Sequence, residues 1–130
     1  MGKLNNQQVI QSLTSAFGDR ISVPSEPYGF LTFETSAENI SEVLRFLKED
    51  KELKFNYLTD ITGIHYPEQK LSIGVIYHLH SLSNNVRVRI KVFIDGDAPH
   101  IPTATKLWEG ANWMERETYD FYGVIFKNHP

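Results

Sequence analysis

The 130-residue sequence predicts an α+β domain of two layers. A mixed, mostly antiparallel sheet of about five strands carries helices on one face, and a C-terminal helical segment follows. Three observations predict it. Apolar residues recur at helical spacing over 5–18 and again over 35–51. Three runs, Asn56–His65, Leu71–Ser81 and Val86–Asp95, have strand composition, and in the last two the apolar residues Leu71, Ile73, Val75, Tyr77 and Leu79 and Val86, Val88, Ile90, Val92 and Ile94 recur at every second position. Finally, Pro67-Glu-Gln-Lys70 and Leu82-Ser-Asn-Asn85 are short connections with turn chemistry, which join these runs as antiparallel neighbours.

In chain order, Ile10, Leu13 and Phe17 share one helical face with Val9 at its edge. Asn5 or Asn6 caps that helix and Gly18 stops it. Ile21 and Val23 then alternate with polar neighbours, Pro24 and Pro27 bracket a turn, and Gly29–Glu34 reads as a strand, together a hairpin. Thr35 and Glu38 have capping-box spacing ahead of a second helix, whose apolar residues Ile40, Val43, Leu44 and Leu47 follow i, i+3, i+4, i+7 before a charged end at Lys48–Lys51. After the three long strands, the Asp95-Gly96-Asp97 run with Pro99 and Pro102 breaks the sheet, and Thr103–Glu109 forms a short helix. In the last helix, Asn112 and Glu115 have the spacing of a second capping box, and Gly123 supplies a left-handed stop. There Met114, Thr118, Phe121 and Tyr122 make the inward stripe; Glu115, Arg116 and Asp120 lie mostly off it, with Arg116 and Asp120 four apart and able to pair.

Composition bounds the function. The length suits one domain, 1–130, that buries roughly two-thirds of its unfolded surface. With 41% hydrophobic and 22% charged residues and no long apolar run, any membrane association is indirect. No secretory or transit leader is visible, so the mature chain is expected to begin near Met1. The absence of cysteine removes disulfides, thiolate zinc sites and cysteine-held iron–sulfur clusters from the chain. A net charge of −3 argues against a nucleic-acid partner.

Four groupings of side chains invite a functional reading. His78 and His80 share a strand face, but no third ligand is set by spacing, so surface or interface histidines are the simpler reading. Glu115, Glu117 and Asp120 crowd one helix and point to different faces, with no nucleophile or oxyanion donor implied, so no catalytic residue is assigned. No phosphate-cradling glycine loop is present, so no cofactor-binding residue is assigned either. A dense aromatic group, from Trp108 and Trp113 to Phe126, is mostly core with one or two members left for an interface. Lastly, antiparallel pairing of the second and third long strands would set His78 and His80 beside Arg87, Arg89 and Lys91 on the outer side of the sheet, a basic partner face on an acidic chain.

The stretch Asn112-Trp-x-Glu-Arg-Glu-x-x-Asp-x-x-Gly123 followed by Phe126-x-x-His-Pro130 is more specific than any of these. With Tyr57–Pro67, Val75–Leu79, Ile101-Pro102 and Leu107-Trp108 in the same order, it resembles the C subunit, or 30 kDa-type subunit, of respiratory complex I, the proton-pumping NADH:quinone oxidoreductase. The likeness covers most of 55–130; the first fifty residues carry a compatible pattern. It marks Trp113, Glu115, Arg116, Glu117, Asp120, Gly123, Phe126, His129 and Pro130 as signature and partner-contact residues. It implies a non-catalytic structural subunit of the peripheral arm, with iron–sulfur clusters, FMN and quinone in partner subunits. The neighbours it implies are chiefly the B and D subunits, at the cytoplasmic face of a bacterial inner membrane. The family usually continues past the His-Pro pair with a Leu-Arg-Arg-rich stretch and a tail, absent here. The equivalent subunit of a membrane-bound hydrogenase, a small metal-binding enzyme using the histidines and acidic residues, and an independent binding module are the alternatives.

Overall fold

The computed structural model describes residues 5–26 and 30–130. Along the chain come α1 (Asn6–Phe17), a 3-10 turn (Gly18–Arg20), β1 (Leu31–Thr35), α2 (Ile40–Glu49), β2 (Tyr57–His65), β3 (Ile73–Ser81), β4 (Val86–Ile94), β5 (His100–Pro102), α3 (Ala111–Tyr122) and β6 (Ile125–Lys127). The main sheet has the order β1-β4-β3-β2, with β1 parallel to β4 and the other pairs antiparallel. Because β1 and β2 occupy opposite edges and run the same way, the chain must cross the sheet between them, and α2 makes that crossing. The fifth strand expected around Ile21 is reduced to two bridges, Ile21 to Thr35 and Ser25 to Thr32, and Val23 is 90% exposed. Pro27 and Gly29, expected in the hairpin turn and at the strand start, lie outside the described residues.

In α1 a reciprocal capping box forms at Asn5: its Oδ1 accepts from Gln8 N and Gln8 Oε1 accepts from Asn5 N, both at 2.9 Å. Its buried stripe is Val9, Leu13 and Phe17, one position away from the expected centre, and Ile10 is only partly buried. By contrast, α2 buries the four residues its spacing predicts. The box expected at Thr35 and Glu38 is absent, because Thr35 is still strand: its Oγ1 donates to Arg20 O at 2.8 Å, and Asn39 occupies the cap position without a side-chain bond. Phe17 meets Phe46 edge to face at 5.3 Å, tying the two helices together.

The odd positions of β3 from Ile73 and the even positions of β4 face inward, as the alternation predicts, whereas Leu71, expected at the head of that stripe, precedes the strand and is exposed. Burial of each such side chain contributes roughly 1.5–3 kcal/mol. In β2 a bulge between Leu58 and Asp60 keeps both Leu58 and Ile61 inside and leaves Thr59 and Asp60 exposed. Residues 103–109 form a turn instead of the expected helix. The Leu107 and Trp108 amides both donate to Ala104 O at 3.0 Å, while the Thr103 amide is taken by Lys127 O and the Ala104 amide by a side chain of α3. The Lys48 ammonium donates to Leu107 O, and Trp108 Nε1 donates to Asn56 O at 3.2 Å, which fastens this turn to the body. β5 and β6, a parallel pair that the sequence pattern does not predict, flank α3 as a second small sheet.

Candidate partner interface

Rolled about its axis relative to its sequence pattern, α3 presents a different face to the body. Gly110 holds its cap position with no side-chain bond, and Asn112 lies inside the first turn. Glu115 therefore does not reach back to a cap. It is fully buried, Oε1 accepting from Thr103 Oγ1 at 2.6 Å and Oε2 from Ala104 N at 2.7 Å, so it clamps the helix to the 103–105 turn. Burial pushes its carboxyl above the ordinary range, and the two hydrogen bonds and His129 pull the other way. The neighbouring Tyr77 hydroxyl is buried with no hydrogen-bond partner among the described residues, and burial together with Glu115 keeps it un-ionised.

The inward residues are Ala111, Glu115 and Thr118, with Met114 and Tyr122 packed at the margin. Phe121, expected inside, is 80% exposed. The roll is possible because Gly63 in β2 has no side chain: a Cβ there would lie 2.5 Å from Tyr122 Cδ2. A glycine within a strand marks such a close approach, and that signal was present in the sequence.

Rolling Glu115 inward turns Phe121 outward, and Trp113 and Tyr119 are exposed as well, with Tyr119 beside Ile125 of β6 on one flank of the helix and Phe121 on the other. Arg116 does not pair with Asp120; its guanidinium lies 5.6 Å from the Trp113 ring centroid, an exposed cation–π contact. The one ion pair among the described residues is Arg20–Glu42 at 3.0 Å. Clefts flank the ridge. One, about 380 Å³, lies between α3 and the final segment, bordered by Arg116, Tyr119, Asp120, Ile125 and His129. The other, about 410 Å³, separates α3 from edge strand β2, with Asp60, Glu117 and Phe121 on its walls. Gly123 closes the helix at φ 71, in the left-handed region as expected. Phe126 is core, Pro130 is exposed, and His129 Nε2 lies 3.2 Å from Asn112 O, within hydrogen-bond distance. An amphipathic ridge between two clefts suits the docking of another chain, since aromatic anchors beside pockets carry interface energy. The three carboxylates are dispersed, Glu115 inside and Glu117 and Asp120 outside.

On the opposite side of the molecule the basic face forms in the expected register, His78 opposite Arg89 and His80 opposite Arg87. Its charges are partly answered within the sheet, which strand alternation alone does not reveal. Lys91 is in register with Glu34 of β1, Asp60 of β2 is in register with His78, and His80 Nε2 lies 3.4 Å from Asn85 Oδ1. Among the described residues no three His, Asp or Glu side chains gather as metal ligands, and no helix is long and apolar enough to cross a membrane.

Residues 33–130 match the family described as respiratory-chain NADH dehydrogenase, 30 kDa subunit. The chain is 41% identical over 127 residues to the C subunit of NADH-quinone oxidoreductase from Roseiflexus sp. strain RS-1, covering 98% of this chain and 73% of that protein. To the corresponding C subunit of Rhizobium johnstonii it is 43% identical over 118 residues, covering 91% of this chain and 58% of the relative's length. Among solved structures, the trypsin-resistant fragment of Nqo5 superposes with a TM-score of 0.83 at 28% identity, covering 96% of this chain and 98% of the fragment. A chain of the membrane-bound sulfane sulfur reductase, an archaeal respiratory membrane complex, shares the fold at a TM-score of 0.81 and 23% identity, over 95% of this chain and 71% of that one.

Proposed function

The chain belongs to the family of the 30 kDa subunit of respiratory-chain NADH dehydrogenase, and from that premise we propose that it is a non-catalytic structural subunit of an NADH:quinone oxidoreductase. In this reading it helps assemble the peripheral arm and supports electron transfer from NADH to quinone. The iron–sulfur clusters, FMN and quinone belong to partner subunits. The neighbours are chiefly the B and D subunits, and the arm stands at the cytoplasmic face of a bacterial inner membrane. The NADH-quinone oxidoreductase name of the relatives favours this complex over a hydrogenase-type one and over a small metal-binding enzyme.

The observation that carries the assembly role is the α3 ridge. Trp113, Tyr119 and Phe121 of α3 and Ile125 of β6 are all more than half exposed, Tyr119 and Ile125 bordering one cleft and Phe121 the other, around a helix that a buried glutamate locks in place. Exposed aromatic side chains with an arginine beside them are the residue types enriched at protein–protein interfaces. In the proposed docking mode these side chains, with Arg116, Glu117 and Asp120 around them, bury against a neighbouring subunit. The test is co-purification from membranes with subunits that carry iron–sulfur clusters, comparing the natural chain with Trp113→Ser/Phe121→Ser. The natural chain is expected to co-purify. The variant, folded and equally expressed, should lose most of that association; retention of both at equal yield would rule the ridge out, and failure of the natural chain to co-purify would rule out the assignment.

A further inference from the structure

We propose that the cleft on the outer face of the sheet, bounded by Phe30, Thr59, His78, Arg87 and Arg89, is a docking site for an acidic segment of a neighbouring protein chain, one of whose carboxylates engages the two arginines. The proposal rests on the reading of this chain as a subunit of a larger complex. It concerns the sheet face remote from the helices, a different surface from the α3 ridge.

The cations on this face are not equivalent. Lys91 has Glu34 across the ladder and His80 contacts the hairpin turn through Asn85. Burial and the adjacent Arg89 hold His78 below its ordinary value against the pull of Asp60, so the fixed charge lining the cleft itself is that of Arg87 and Arg89. These two are alternate residues of β4, so they leave the same face about 7 Å apart along the strand. Neither has a carboxylate within ion-pair distance among the described residues.

Arg89 is also held ready. Its Nε donates to Thr32 Oγ1 at 3.2 Å and its guanidinium lies 5.3 Å from the Phe30 ring centroid, which leaves the terminal N–H groups without an acceptor among the described residues. A guanidinium fixed at one edge and stacked on a ring loses little freedom when a carboxylate arrives. Thr59, put outside by the β2 bulge, forms the far wall; its hydroxyl is bound to His78 O at 2.9 Å. The cleft measures about 270 Å³. That is just under the roughly 300–1,000 Å³ of typical small-molecule sites, and it suits one or a few inserted side chains. Asp60 and Glu34 lie beyond it toward the two sheet edges, so the positive potential is short. A nucleic-acid backbone needs a longer cationic track, whereas a protein segment needs only one well-placed acid.

The experiment compares the assembled complex carrying the natural chain with one carrying Arg87→Gln/Arg89→Gln, after unchanged circular dichroism and thermal midpoint show that the variant folds. The chain should leave the variant complex at roughly threefold lower salt than it leaves the natural one, since the lost contact is ionic. Release at the same salt overturns the proposal and leaves the subunit assignment standing; absence of the natural chain from the complex overturns the assignment beneath it. A second measurement does not depend on the arginine variant folding. The chain has no cysteine, so Thr59→Cys offers a unique thiol for a photo-activated cross-linker within the complex. Recovery of a cross-linked partner peptide rich in Asp or Glu supports the proposal, and a neutral or basic peptide overturns it. Tight binding of a labelled oligothymidylate to the isolated chain, lost in the double variant, would also overturn it in favour of a phosphate ligand.

Discussion

Glu115 shows how one carboxylate decides the placement of a helix. Its two acceptor oxygens satisfy Thr103 Oγ1 and the Ala104 amide, groups that would otherwise be stranded beside the core. Glu115→Ala removes both bonds and should cost roughly 2–3 kcal/mol, measured by denaturant unfolding. Glu115→Gln should be much milder, because a carboxamide oxygen can still accept from Ala104 and Thr103 Oγ1 can accept as well as donate. The pH dependence follows from the raised carboxyl. The folded chain holds this proton more tightly than the unfolded chain, so the contribution of Glu115 is full below the ordinary carboxylate range and is lost as pH rises through the raised value. His129 opposes the shift and the un-ionised Tyr77 hydroxyl stands nearby. Relative to Glu115→Gln, the natural chain is expected to lose stability over that rise; a flat difference across the window would count against the buried-acid account.

At the scale of elements, the contact between α3 and β2 depends on a missing side chain. A methyl at Gly63 would meet the Tyr122 ring at 2.5–3.0 Å, so Gly63→Ala should destabilise by roughly 1–3 kcal/mol through overpacking. Tyr122→Ala alone leaves a gap. Combined, the two changes relieve each other, and the double variant should cost less than the sum of the singles in the same unfolding assay. Additive costs would show that the ring is free to swing away. The same strand carries the bulge that exposes Thr59 and Asp60 together, so β2 shapes the cleft beside α3 and also one wall of the cleft on the outer face.

Over the whole molecule, the two tryptophans report on different surroundings. Trp108 is 8% exposed and Trp113 is 63% exposed. Emission from the isolated chain should therefore contain a red, quencher-accessible part from Trp113 and a protected part from Trp108. If the α3 ridge docks on a neighbouring subunit, incorporation into the complex should shift the accessible part to the blue and shield it from acrylamide, and Trp113→Phe should abolish that change. Undiminished quenching of Trp113 in the complex would place the ridge in solvent. The two proposed surfaces, the aromatic ridge of α3 and the arginine cleft of the sheet, are formed by different elements, so each can be tested without disturbing the other.

Features that depend on short-range period are legible in the residues alone. The alternation of β3 and β4 sets their inner faces, the i, i+3, i+4, i+7 repeat sets the stripe of α2, and Gly123 takes the left-handed stop. The signature of α3 likewise pointed to a family whose profile spans residues 33–130. Features that depend on partners far along the chain emerge only on packing. Glu115 reads as a surface acid until Thr103 and Ala104, twelve and eleven residues away, are seen to donate to it. Phe121 reads as core until that burial turns it outward. The basic stripe reads as unanswered until β1 pairs with β4 and the β2 bulge sets the register that brings Glu34 and Asp60 alongside. The reason is common to all three: a local pattern says which side chains prefer water, but burying a charge or answering one depends on donors and counter-charges that only the packed chain brings within reach.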